Sequence, residues 1–136
     1  MKNEKLNTGE AKDNRHRDIE PRTFDFALRV VRLCQRLHGT PGVGRTLAQQ
    51  LLRAGTSVGA NVEEAQAGQS RADFINKLNI ALKESREAHY WLRLLSGSKL
   101  VEAALLAPIT QEADEIKKVL GAIVRSVRRS TRSPVF

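Results

Sequence analysis

The chain predicts an all-α protein: an antiparallel up-down-up-down four-helix bundle with a disordered N-terminal tail. Three observations lead there. Apolar residues recur at steps of three and four in four separate segments, and glycine and proline punctuate the gaps. No run of alternating apolar and polar residues is long enough for a strand.

Residues 1–21 carry mixed charge, one leucine and little periodicity, so they read as a mobile tail of low helical content. The bundle is expected over 22–130, followed by a short C-terminal tail over 131–136. The first helix spans Thr23 to His38, with Phe24, Ala27, Val31 and Cys34 on one line and Phe26, Val30, Leu33 and Leu37 on another. Gly39-Thr40-Pro41-Gly42 ends it. The second helix carries Leu47, Leu51, Ala54, Val58, Asn61 and Ala65 as its core seam. Ala67-Gly68-Gln69 breaks it, with Gly68 suited to the left-handed position beyond a helix C-terminus. The third helix starts near Arg71, where the Ser70 hydroxyl can cap it and Asp73 answers three residues on. Its seam is Phe74, Leu78, Ala81, Ser85, Ala88, Leu92 and Leu95. The fourth helix begins near Pro108, a residue tolerated in a first turn, and continues as Ile109, Ala113, Ile116, Leu120, Ile123 and Val127. Glu112, Asp114 and Glu115 lie toward its start and Arg125, Arg128 and Arg129 toward its end, complementing the helix dipole.

Several well-separated motifs share a family pattern: Ala54-Gly55-Thr56-Ser57-Val58-Gly59-Ala60-Asn61-Val62-Glu63-Glu64-Ala65, then Ser70-Arg71-Ala72-Asp73-Phe74, Ala81-Leu82-Lys83-Glu84 and Tyr90-Trp91-Leu92. On these residues the chain resembles the S23 family of bacterial four-helix bundle proteins over roughly Thr23 to Val127. The family is named for reading frames within intervening sequences of 23S ribosomal RNA genes. The resemblance implies a looser kinship with the accessory proteins of diversity-generating retroelements. Those are similar bundles that assemble as homopentamers and associate with a reverse transcriptase and nucleic acid. A shared bundle does not carry function with it.

A length of 136 residues makes one domain with a core that folds without staples. The single cysteine, Cys34, lies on an apolar line and suits a reducing compartment, and the N-terminus leads into no apolar stretch of signal or membrane length. A cytoplasmic protein without membrane association is expected.

Charge is the main functional hint. The formal net charge is +8 and the pI about 10.3, which favours polyanionic partners. Ile116 to Phe136 holds Lys117, Lys118, Arg125, Arg128, Arg129 and Arg132 with no acidic residue. Arg29, Arg32 and Arg36 recur at steps of three and four on the first helix, hence along one face. These seven arginines form the expected nucleic-acid surface, where planar guanidinium forks suit phosphate oxygens and binding is salt dependent. The competing reading is a solvated or protein-facing surface, with the terminal arginines merely stabilising their own helix.

Two glycines inside one helix, Gly55 and Gly59, cost about 1 kcal/mol each relative to alanine, so close approach of another helix is expected there. The line Ala48, Leu52, Gly55, Gly59 and Val62 lies beside the core seam. On the third helix Ile75, Leu82, Trp91 and Leu94 point away from its seam. Gly55, Gly59, Val62 and Trp91 are therefore candidates for a homo-oligomer interface, unless the bundle consumes them, and the resemblance implies a pentameric ring. Asn61 and Ser85 occupy seam positions where polar groups need partners. Glu63, Glu64, Glu84 and Glu87 could join Lys83 and Arg86 in a polar network beside Asn61 and Ser85, with ordinary exposed pairs at helical spacing the preferred reading.

Catalytic patterns largely fail on spacing. Gly39 to Thr46 nearly matches a phosphate-binding loop, but Arg45 stands where lysine belongs and the segment follows a helix rather than a strand. It reads as an interhelical turn. A carboxylate-bridged dimetal bundle needs Glu-x-x-His pairs, yet Gln35 and Arg86 precede His38 and His89 by three. His16, His38 and His89 assemble no triad or zinc cluster by spacing, and no cofactor or metal is expected. Six aromatics in all make base stacking a poor expectation, with Tyr90 and Trp91 read as core or interface anchors. The expectation is a non-enzymatic homo-oligomer whose basic surface contacts RNA or DNA within a nucleoprotein assembly. The alternative is an interaction scaffold or accessory subunit of a polymerase or reverse transcriptase that binds no nucleic acid itself.

Overall fold

A computed structural model describes residues 8–39 and 41–132, with side chains over 18–39 and 41–130. Four helices follow one another: α1 (Thr8–His38), α2 (Val43–Gln66), α3 (Arg71–Gly97) and α4 (Ala103–Arg132). Each packs against its chain neighbours, and α4 closes the bundle on α1, giving the antiparallel four-helix arrangement expected. No strand occurs among the described residues.

The seams of α2, α3 and α4 behave as their spacing predicts. Leu51, Ala54, Val58, Leu78, Ala88, Leu92, Ile116, Leu120 and Ile123 are all buried in one core. On α1 the second line forms the core: Phe26 is 1% exposed and Val30 fully buried, whereas Phe24 is 53% exposed. Asn61 and Ser85 find partners in their own helices, donating to the Ser57 carbonyl (2.9 Å) and the Leu82 carbonyl (2.7 Å), so neither demands a second chain. The Ser70 hydroxyl caps α3 by accepting from the Asp73 amide at 3.1 Å, as expected.

Both outer helices start earlier than their prolines suggest. α1 begins at Thr8 and runs through Pro21, so residues 8–21 are helical rather than the expected tail of low helical content. Residues 1–7 and 133–136 of the expected tails lie outside the described residues, and residues 131 and 132 belong to α4. An interior proline costs about 3 kcal/mol or more, and tertiary contacts around Pro21 offset it. Ile19 and Thr23 are buried. The Arg22 guanidinium grips Glu112 at 2.7 and 2.9 Å and Glu115 at 2.6 Å on α4. α4 likewise begins at Ala103, not Pro108, because Val101 and Leu106 are buried and the Glu102 carbonyl accepts from the amides of Leu105 and Leu106.

Gly68 does not take the left-handed conformation either. The α2–α3 turn closes through Ala67 and Gly68 amides donating to Glu64 and Ala65 carbonyls at 3.2 Å. Positive φ occurs instead at Gly42 (102°), just before α2, and at Lys99 (63°), after α3. Of the Gly39 to Thr46 segment, expected as an interhelical turn, Val43 to Thr46 already form the first turn of α2, and Arg45 Nε donates from there to the His38 carbonyl at the end of α1 (3.0 Å).

Gly55 and Gly59 are where α1 and α2 come closest. A Cβ on Gly55 would lie 2.9 Å from a Val30 methyl, and one on Gly59 would lie 3.2 Å from the Thr23 carbonyl oxygen. Alanine at Gly59 must push against backbone, and its clash outweighs the gain in helix propensity. Gly59→Ala is expected to lower stability by about 1 kcal/mol or more. Gly121 is the contrast, since a Cβ there meets only the mobile Arg125 guanidinium at 3.4 Å and Leu82 at 4.0 Å. Gly121→Ala is expected to raise stability by about 0.5–1 kcal/mol. Urea melts of the two variants check both signs.

Candidate nucleic-acid interface

The seven arginines of the expected surface do not form one patch. Arg29, Arg32 and Arg36 follow one another along α1 where it faces the first turns of α4. With Leu33, Leu105 and Ile109 they line a groove of about 280 Å³, apolar on its floor and cationic along its edge. Arg32 and Arg36 are exposed and Arg29 half-buried. No acid stands within the first turn of α4, and the one acid at its start, Glu102, immediately precedes it and opposes the positive end of the helix dipole there.

Arg125, Arg128 and Arg129 are exposed on the last turns of α4. Helical rise separates Arg125 from Pro108, in the first groove, by about 25 Å. The side chain of Arg132 lies outside those described. Between the two clusters Arg22 is occupied by Glu112 and Glu115, which hold its pKa above the ordinary arginine value despite partial burial. Glu115 is held below the usual carboxylate range, first by its bond from Gln111 and then by Arg22. None of the six described arginines of the expected surface has a carboxylate partner among the described residues.

The expected oligomer interface is largely consumed inside the chain. Gly55, Gly59 and Val62 are buried against neighbouring helices and offer no surface to a second copy. Spacing alone reveals that a second helix approaches these glycines but not which one. Trp91 is half-buried against the core, and its Nε1 donates to Glu87 (3.1 Å). Neither Lys83 nor Arg86 forms an ion pair with these carboxylates, although Lys83 is near enough to Glu87 to help lower its pKa. Arg53 does, pairing with Glu84 at 3.2 Å and with Glu87, while Lys77 takes Glu64 at 2.8 Å. Glu87 is held below its ordinary range, chiefly by the Trp91 bond.

The apolar surface left open lies elsewhere. Phe24 and Leu28 are exposed on α1 and Leu52 on α2; Leu52 borders a groove of about 330 Å³ with Val31, Cys34, Gln35, His38 and Ala48, whereas Leu28 borders Arg29 and Arg32. The signal in the sequence is the first apolar line of α1, Phe24, Ala27, Val31 and Cys34, of which only Cys34 is buried in the core. Cys34 itself is buried, its thiol donates to the Ala48 carbonyl (3.3 Å), and desolvation pushes its pKa up to about 11. It is a small core hydrophobe, not an activated thiolate.

His89, on the α3–α4 side, has its pKa lowered from its ordinary 6.5 by burial, then by Lys117, with Asp114 opposing and Arg93 and Lys118 assisting. The unfolded chain therefore takes up this proton first. The stability contributed by neutral His89 is fully present above pH 6.5 and is lost as pH falls through 6.5 toward the folded value. Thermal melts between pH 8 and pH 5.5 should show the wild type losing Tm that His89→Gln retains.

Among the described residues no group of three or more His, Cys, Asp or Glu is placed to hold a metal ion. No described helix is long and apolar enough to cross a membrane.

Comparison with known proteins gives the chain its relatives. The profile of the 23S rRNA-intervening sequence proteins matches residues 16–122. Among solved structures, a protein of unknown function from the S23 ribosomal protein family of Bacteroides thetaiotaomicron superposes with a TM-score of 0.75 at 41% identity, covering 82% of this chain and 98% of that one. No functionally curated protein matches. The bundle, the matched span and this structural neighbour agree, and the chain belongs to the 23S rRNA-intervening sequence protein family.

Proposed function

We propose that this protein is a cytoplasmic, non-enzymatic homo-oligomer, a pentamer by its resemblance to retroelement accessory proteins, whose basic surface binds RNA or DNA within a nucleoprotein assembly. The observation that carries the reading is the pair of arginine clusters, Arg29, Arg32 and Arg36 on α1 and Arg125, Arg128 and Arg129 on α4, without carboxylate partners among the described residues. Cations left unpaired on a chain of net charge +8 attract phosphate and release its condensed counterions. Subunits meet, in this reading, through the exposed Phe24, Leu28 and Leu52 face rather than through the buried glycines.

One observation favours a second reading. The apolar floor under Arg29, Arg32 and Arg36 suits an acidic, apolar segment of a protein better than a sugar-phosphate chain, as expected of an accessory subunit of a polymerase or reverse transcriptase.

Size exclusion coupled to light scattering tests both parts of the proposal, with and without a mixed pool of structured RNA and duplex DNA at near-physiological salt. A ring-sized particle that retains one nucleic acid supports it. A monomer that retains neither overturns it and turns the search to a protein partner.

A further inference from the structure

A second basic surface lies on the outer side of α3, apart from both arginine clusters. Lys83, Arg86, Tyr90 and Arg93 follow at steps of three, four and three, which puts them in one stripe, and all four are exposed. No acid shares the stripe. The carboxylates on the adjoining row, Glu84 and Glu87, are turned to Arg53 of α2, and Glu87 is further held by Trp91 Nε1. On the α4 side Lys117 and Lys118 share one acid, Asp114, at 3.1 and 2.9 Å, which leaves a positive remainder.

Within this cationic stripe stands an aromatic ring. Tyr90 is 49% exposed, and its ring meets Trp91 edge-on at 5.3 Å between centroids with 69° between planes. Trp91 packs on the core and is fixed by its bond to Glu87, so Tyr90 rests on an ordered support. Beside Arg93, a groove of about 700 Å³ runs between α3 and α4 past His89, Ser96, Thr110 and Gln111. The Thr110 hydroxyl in it has no hydrogen-bond partner among the described residues.

We propose that this face binds a single-stranded segment of nucleic acid, with Lys83, Arg86 and Arg93 along its phosphates and Tyr90 stacked on an unpaired base. The inference rests on the nucleic-acid reading above and specifies the strand state. A duplex keeps its bases in the stack and can offer this stripe only phosphates, whereas a single strand can use the ring as well. The stripe is about 15 Å long by helical rise, the reach of a short stretch of strand. An acidic protein would match the cations and could pack on the ring, but only an unpaired base stacks on it while its own backbone phosphates follow the cations.

Fluorescence anisotropy of labelled oligonucleotides about twelve long, as single-stranded RNA, single-stranded DNA and duplex, tests this at fixed salt. Tyr90→Ala should weaken single-strand binding by about 5- to 150-fold, the range expected for losing one base stack, and leave duplex binding unchanged. Tyr90→Phe should retain wild-type affinity, and circular dichroism melts confirm that both variants fold. The RNA and DNA arms identify which strand is preferred. If the wild type binds and Tyr90→Ala does not change its affinity, or weakens single strand and duplex alike, the stacking site is wrong while the wider nucleic-acid reading stands. Poly-glutamate competing as well as the oligonucleotide would also overturn the site, in favour of an acidic protein. If the wild type binds no oligonucleotide, both readings fall.

Discussion

Phe26→Ala should cost about 3–5 kcal/mol of unfolding free energy, the largest single-residue effect expected in this chain. The ring is 1% exposed at the α1 side of the core, and truncation leaves a cavity that surrounding helices fill only in part. Domains of this size have about 5–15 kcal/mol in total, so the variant should be close to unfolding under mild conditions. The loss should fall on α1, the helix whose docking also depends on the Arg22 clamp to Glu112 and Glu115. Phe24→Ala, two residues away, supplies the control. Its ring is 53% exposed, so the isolated subunit should keep its stability while the particle mass falls if copies meet on that face. Urea melts and light scattering on the two variants separate core from interface.

The second large effect concerns binding. Changing Arg29, Arg32 and Arg36 together to glutamate should lower nucleic-acid affinity by about 100-fold or more at fixed salt, since it removes three phosphate contacts and adds three repulsive charges. Arg32 and Arg36 are exposed and Arg29 half-buried, so the bundle should fold unchanged. Arg22 is deliberately left out: it is engaged with α4, and its loss would confound binding with docking. Unchanged affinity with an intact oligomer would move the binding face to the α4 arginines or to the α3 stripe.

What could be read in the sequence divides along a physical line. The α2 and α3 seams and the Ser70 cap depend on residues three or four apart, so local periodicity and side-chain chemistry are enough to place them. The starts of α1 and α4 depend on contacts between distant parts of the chain. Residues 1–21 read as a tail because their local pattern is charged and aperiodic, whereas Arg22, just beyond them, meets Glu112 across ninety residues. Which line of α1 faces inward is equally nonlocal, since Phe24 and Phe26 are chemically alike and only the positions of α2 and α4 distinguish them. The same reason explains Gly55 and Gly59. Their small size announces a close approach, but the partner is α1 of the same chain. The arginines were legible as residues and not as a surface, because antiparallel packing puts the α1 trio and the C-terminal α4 trio at opposite ends of the seam between those helices. The α3 stripe is hidden in the sequence because Glu84 and Glu87 fall among its cations, and only Arg53, on another helix, draws them aside.

The most direct test of the central claim is the salt dependence of affinity for a structured RNA between 50 and 200 mM. If phosphates are engaged by Arg29, Arg32, Arg36, Arg125, Arg128 and Arg129, log K against log salt should fall with a slope of about −4 to −5, each contact contributing about 0.7–0.9. A slope near zero, or no measurable binding at the lowest salt, would contradict the account.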